Sequence, residues 1–199
     1  MVVACGISQY SLALFHLINH AFFKALLFLS AGAVLHAIMD EQDMRKMGNL
    51  INFLPITYVC FIIGSLSLMA FPFLTGFYSK DFILELLFIP NNTTQTIAYL
   101  LTLVAAFLTS IYSIRLLILT FLSKPHFNNK LSSSIQEPLD FPTLFTFIIL
   151  AMGSILFGYF AQELFVGGGT EVYMNSIFTH PNNFRLFDSS LSEFTIYKL

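Results

Sequence analysis

Between Phe15 and Ser30 the chain reads FHLINHAFFKALLFLS, an apolar stretch carrying His16, His20 and Lys24 at four-residue intervals. At 3.6 residues per turn these side chains stay near one face of a helix, drifting by about 40° at each step. A helix this apolar belongs in a membrane, where protonatable groups are costly and mark the paths of protons or ions. Lys24 is the sharpest constraint. It sits about a dozen residues from either end of its helix, roughly 18–20 Å of rise, too far for its stem to reach the headgroups. Its amine has to meet a carboxylate, a histidine or water.

The rest of the composition agrees. Only 10% of the 199 residues are charged and 56% are hydrophobic, with mean hydropathy +0.77. A soluble domain is nearer to 25% charged, so this is an integral membrane protein. A net charge of -2 gives nothing to attract nucleic acid. Cys5 and Cys60 are isolated in apolar surroundings and read as packing residues rather than a disulfide. The start, MVVACGISQY, has neither a basic n-region nor an Arg-rich transit pattern, so no signal peptide is expected. Heavy phenylalanine usage (24 residues) without tryptophan points to an AT-rich coding genome, such as an organelle's.

The expected fold is an all-α, polytopic membrane helix bundle of four passages, at about 12–38, 54–89, 96–122 and 141–166. The second stays apolar for longer than one crossing needs and is interrupted at FPFLTGFYSKD, Phe71 to Asp81. Pro72 removes a backbone donor and Gly76 adds freedom, so this passage is read as two half-helices around an unwound middle. Such breaks survive in a membrane only where the freed backbone is buried in protein or lines a wet cavity. Gly32, Gly64, Ser65, Ser67, Gly153 and Gly158 are small enough to let helices pack closely. Residues 167–199, opened by Gly167, Gly168 and Gly169, read as an irregular extramembrane tail. The sequons at Asn91 and Asn92 read as chance. Loops 39–53 and 123–140 hold Arg45, Lys46, Lys124 and Lys130, whereas the other side holds Arg185 and Lys198. The positive-inside rule therefore puts those two loops on the inner side, which is the matrix if the membrane is mitochondrial, and both termini opposite.

The titratable residues suggest proton transfer. Neutral imidazole accepts a proton on one nitrogen and releases one from the other, so His16 and His20, in steps of about 6 Å, can relay to Lys24 with a water in each gap. Taken singly, each histidine reads first as a core residue bonded to a neighbouring helix, and only in series with Lys24 does the relay become the better reading; the alternative for Lys24 is one half of a permanent ion pair. A zinc site on HxxxH lacks the metalloprotease glutamate and any nearby Cys or acid. Lys80 and Asp81 follow the break, where free carbonyls and amides bind ions and water. Lys80 is read as a second proton site biased by Asp81, or as half of an interface pair. His36 marks the inner exit or sits at the interface. Glu85 is a channel-mouth acid or merely solvated. Arg115 is explained by snorkelling, the lesser alternative being a fixed positive charge that modulates neighbouring proton sites.

HLINHAFFKALLFLSAGAVLHA, DEQDMRKMGNL and GSLSLMAFPFLTGFYSKDFILE resemble the distal antiporter-like subunits, the chain 5 family, of mitochondrial NADH:ubiquinone oxidoreductase (respiratory complex I). The looser HAFFKALLF and FPFLTGFYSKD patterns are shared with chains 2 and 4 and with the multisubunit cation/proton antiporters. The DEQDMRKMG loop separates this sequence from them. The resemblance implies that His16, His20 and Lys24 form the hydrated axis of a second half-channel. It makes Lys80 the terminal proton-carrying lysine, with Asp81 beside it. It implies no cofactor in this chain, FMN, iron–sulfur clusters and ubiquinone being held by other subunits. The implied partners are other membrane-arm subunits, among them chain 4 and whatever polypeptide supplies the remaining helices, together with membrane lipid. Family members are about three times longer, so a split subunit or a fragment is expected. The other readings are a structural scaffold of the membrane arm and a chain of a sodium/proton antiporter.

Overall fold

A computed structural model describes residues 1–88, 93–125, 135, 137 and 140–166, and every regular element among them is helical. After a short α1 (Val2–Gly6), α2 runs over Tyr10–Ala37. The 39–53 loop holds two 3-10 turns, Met44–Lys46 and Leu50–Asn52. In it the Lys46 ammonium, 2.9 Å from Glu41, holds that exposed carboxyl below its usual range through a direct hydrogen bond. Next come α3 (Pro55–Met69), a π-helical turn (Phe77–Asp81) and α4 (Phe82–Phe88). Then α5 (Thr93–Leu117) continues into a second π turn (Ile118–Leu122), and α6 covers Phe141–Val166.

Three of these segments are long and apolar enough to cross a membrane: Tyr10–Ala37, Thr93–Leu122 and Phe141–Val166. The passage expected at 54–89 is divided. Pro55 opens α3 with its fixed φ, and the Glu137 carboxylate caps the start by accepting from the Thr57 amide at 2.8 Å. Fifteen residues later Ala70 turns left-handed (φ 63), and Pro72 cannot resume the helix. At about 1.5 Å per residue α3 rises roughly 22 Å, short of a bilayer's hydrocarbon core.

Gly76 is required for a reason other than the one expected. Its φ of -64 is ordinary helix, so its conformational freedom is unused. A methyl there would overlap the Ser67 carbonyl, and only glycine lets the returning chain pass so close to the end of α3. Gly64, Gly153 and Gly158 likewise admit Leu27, Phe22 and Thr75. At Gly32, by contrast, no atom of the described residues lies within 4 Å of where a methyl would stand.

The long helix α2 lies against both α3 and α6. One apolar cluster, with Leu12, Phe15, Phe82 and Leu86, closes one end. A second, with Val34, Leu50, Leu54, Phe61 and Phe121, closes the other. The titratable row of α2 and the break lie between them. By contrast α5 buries only Ser113 along Thr93–Leu117 and turns its apolar surface outward. The expected tail, with Arg185 and Lys198, the sequons at Asn91 and Asn92, and Lys130 lie outside the described residues.

Candidate functional site

The final carbonyls of any helix lack intrahelical partners. At the end of α3 the Leu66 carbonyl is taken by the amide of Phe71 and that of Ser67 by the amide of Ala70. The Leu68 carbonyl accepts instead from Lys80, whose Nζ is 3.2 Å away. The same ammonium donates to Thr109 Oγ1 at 3.1 Å, while that hydroxyl donates to the Ala106 carbonyl at 2.6 Å. Lys80 thus caps the half-helix at the end where the backbone dipole favours a cation, and ties it to α5.

The residue before it faces α2. Ser79 is fully buried, and its Oγ lies 2.9 Å from His16 Nδ1. Its other neighbour, the Gly76 carbonyl, is at 3.5 Å, the outer edge of hydrogen bonding. His16 and His20 follow with ring centroids 6.0 Å apart, one helical turn. The 40° drift then separates the row. His16 is turned toward the break, whereas the Lys24 ammonium lies 5.9 Å over the Phe28 ring, and Phe28 is 73% exposed. Among the described residues the one ion pair joins Lys46 and Glu41, so none of their carboxylates meets Lys24 at salt-bridge distance. Asp81 is half-buried in the π turn, Glu85 is exposed on α4, and His36 is exposed in the last turn of α2. The structure therefore brings His16 to the segment that carries Lys80, and leaves Lys24, His36 and Glu85 apart from it.

Four polar residues that sequence reasoning passed over complete the arrangement: Ser79, Thr109, Asn19 and Thr75. Asn19 is fully buried, and its Nδ2 is 3.4 Å from the Thr75 carbonyl. Its Oδ1 is buried with no protein donor among the described residues, an acceptor left over for water. Thr75 donates to the Gly153 carbonyl at 3.0 Å and accepts from the Gly158 amide at 3.2 Å. Ser67 donates to the Ser154 carbonyl at 3.2 Å. The unwound stretch is thereby fastened to α6. An amide inside an apolar helix, between two histidines, was the signal available for Asn19. The others are short hydroxyls with no distinguishing spacing. Among the described residues no group of three His, Cys, Asp or Glu side chains could hold a metal ion.

The family model described as NADH:quinone oxidoreductase/Mrp antiporter, TM matches residues 1–109. NADH-ubiquinone oxidoreductase chain 5 of Schizophyllum commune is 50% identical over 199 residues, covering 100% of this chain and 29% of that protein. The chain 5 protein of Marchantia polymorpha is 52% identical, covering 100% and 30%. That of Rhizopus stolonifer is 53% identical, covering 95% and 29%. The chain spans under a third of the length of these curated relatives. With that match across the His16, His20, Lys24 and Lys80 segments, and relatives similar over its whole length, the chain belongs to the NADH:quinone oxidoreductase/Mrp antiporter transmembrane family.

Proposed function

We propose that this chain is a proton-translocating part of the membrane arm of mitochondrial NADH:ubiquinone oxidoreductase and contributes a half-channel. The single observation that carries this is Lys80. A lysine inside the bilayer is held by the carbonyl that a broken helix leaves free, one residue from a serine bonded to the first histidine of the row. Among the described residues no carboxylate lies within salt-bridge distance of the Lys80 ammonium, which is hydrogen-bonded to two neutral oxygens, with Asp81 acting on it from the next position.

The mechanism follows from charge. A proton on Lys24 raises the cost of charging His20 one turn away, because two like charges some 6 Å apart in a low dielectric repel strongly. The proton is displaced along His20 and His16, through the Ser79 hydroxyl, toward Lys80. Asp81 and Glu85 extend the path beyond the break, and His36 stands at the inner end. The energy comes from electron transfer in other subunits, which hold FMN, the iron–sulfur clusters and ubiquinone.

The chain lies in the inner membrane with four passages, the second built from α3 and the Phe77–Phe88 segment. Loops 39–53 and 123–140 face the matrix, and both termini face the intermembrane space. Residues 1–166 form the bundle and 167–199 the extramembrane tail. Its neighbours are chain 4, the polypeptide carrying the remaining helices, and lipid. The test is Lys80→Ala in the assembled complex. Fewer protons moved per NADH oxidised is the expected result; an unchanged ratio, with the variant fully assembled, overturns it.

A further inference from the structure

An interrupted helix has no hydrogen-bond ladder across its gap, so the spacing of its two flanks has to be set from outside. Here both flanks are held by one stretch of α6. Ser67, in the last turn of α3, donates its hydroxyl to the Ser154 carbonyl at 3.2 Å. Thr75, on the returning chain, donates to the neighbouring Gly153 carbonyl at 3.0 Å and accepts from the Gly158 amide at 3.2 Å. Consecutive carbonyls of a helix are about 1.5 Å apart along its axis, so the two hooks share one rigid frame. Ser67, Thr75 and Ser154 are fully buried, and no bulk water competes for these bonds.

The approach is as close as backbone allows. A methyl at Gly158 would stand 2.6 Å from Thr75 Cα, and one at Gly76 would overlap the Ser67 carbonyl. The two flanks therefore touch each other beside the place where they touch α6. The groups that meet at Lys80 follow directly in the chain. Leu68, whose carbonyl accepts from the ammonium at 3.2 Å, is next to Ser67. Lys80 itself belongs to the π turn that starts just after Thr75 and Gly76. Small residues alone would supply close packing, whereas hydroxyls that bond across helices fix register as well.

We infer that Ser67 and Thr75 are positioning residues for Lys80. Hooked to adjacent carbonyls of α6, they hold the flanks of the break at the separation that lets the ammonium reach the Leu68 carbonyl. Neither side chain touches the ammonium or carries a proton; each acts through the place it gives the next residues. The inference rests on the reading of Lys80 as a proton station.

The test measures protons moved per NADH oxidised by vesicles holding the assembled complex, with each variant made in the wild-type and in the Lys80→Ala background. Removing one tether should cut this chain's share of the protons about three- to fivefold. The ratio in Thr75→Val and in Ser67→Ala should thus fall most of the way to that of Lys80→Ala. Thr75→Ser, which keeps both bonds, should restore it. With Lys80 already removed, Thr75→Val should lower the ratio no further, because a residue that acts through Lys80 has nothing left to position. If Thr75→Val fails to assemble, Ser67→Ala in the two backgrounds decides. A wild-type ratio in either tether variant overturns the proposal, as does a further fall in the Lys80→Ala background, which marks a general structural role. An unchanged ratio in Lys80→Ala alone overturns the proton-path reading and this inference with it; a lowered ratio there beside wild-type tether variants overturns this inference only.

Discussion

His16 Nδ1 and Ser79 Oγ meet at 2.9 Å although 63 residues separate them in sequence, so the histidine row of α2 is joined directly to the broken segment. A serine hydroxyl has one hydrogen. Donated to Nδ1, it fixes the imidazole proton on Nε2; turned to the Gly76 carbonyl, it leaves the oxygen to accept from Nδ1. Ser79→Ala should therefore slow proton transfer more than it disturbs packing. Loss of one such bond is expected to lower the rate of proton translocation by about two- to tenfold. Ser79→Thr, which keeps the hydroxyl, should recover most of it. The check is the initial rate of vesicle acidification by the assembled complex at matched protein amounts.

Thr109 offers the second oxygen to the Lys80 ammonium, and the link fastens α5 to the break. A hydrogen bond to a charged group is worth about 1.5–3 kcal/mol. Thr109→Val preserves shape and removes the acceptor. Translocation should fall while α5 stays folded, and Thr109→Ser should restore it. Equal rates for the valine and serine variants would show that the contact does nothing for Lys80.

The two glycines at positions 76 and 32 should respond in opposite ways. At Gly76 an added methyl runs into backbone, which cannot give way as a side chain can, so Gly76→Ala is expected to cost at least the ~1–3 kcal/mol typical of overpacking and to lower the yield of assembled complex. Gly32 lies within α2 and an added methyl there meets no atom of the described residues, so Gly32→Ala should be neutral or stabilising by about 0.5–1 kcal/mol. Melting of the assembled complex and its yield on native gels distinguish the two.

Much of this architecture is legible in the sequence because bilayers impose simple rules. The helices at Tyr10–Ala37 and Phe141–Val166 are read from apolar length, and the break from Pro72 in an overlong apolar run. Lys80 stands out because charge inside that run is costly. The partners of these residues are less legible. Nothing in the spacing of Ser79, Thr75 or Thr109 says that they face α2, α6 and the Lys80 ammonium, since hydroxyls are common in membrane helices and their roles depend on which helix lies opposite. Gly76 was read through flexibility, the property a sequence displays, when close passage past Ser67 is what the fold requires. The drift of the row was calculable. Its consequence, His16 turned to the break and Lys24 toward exposed Phe28, needed the neighbouring helices to be in place.

Glu137 reaches back across 80 residues to cap α3, bonding both the amide and the hydroxyl of Thr57. Glu137→Ala should destabilise this end of the bundle by about 1 kcal/mol, as loss of a helix cap does. Glu137→Gln keeps an acceptor and should cost less. Hydrogen exchange at the first turn of α3 in the assembled complex reads the effect locally, with faster exchange expected at Thr57.

The most direct measurement is the number of protons translocated per NADH oxidised by membrane vesicles containing the fully assembled complex with both Lys24→Ala and Lys80→Ala. With two positively charged stations of the path removed, that ratio is expected to fall while electron transfer to quinone continues. A wild-type ratio from the doubly substituted complex would contradict conduction through this chain and leave it a structural element of the membrane arm.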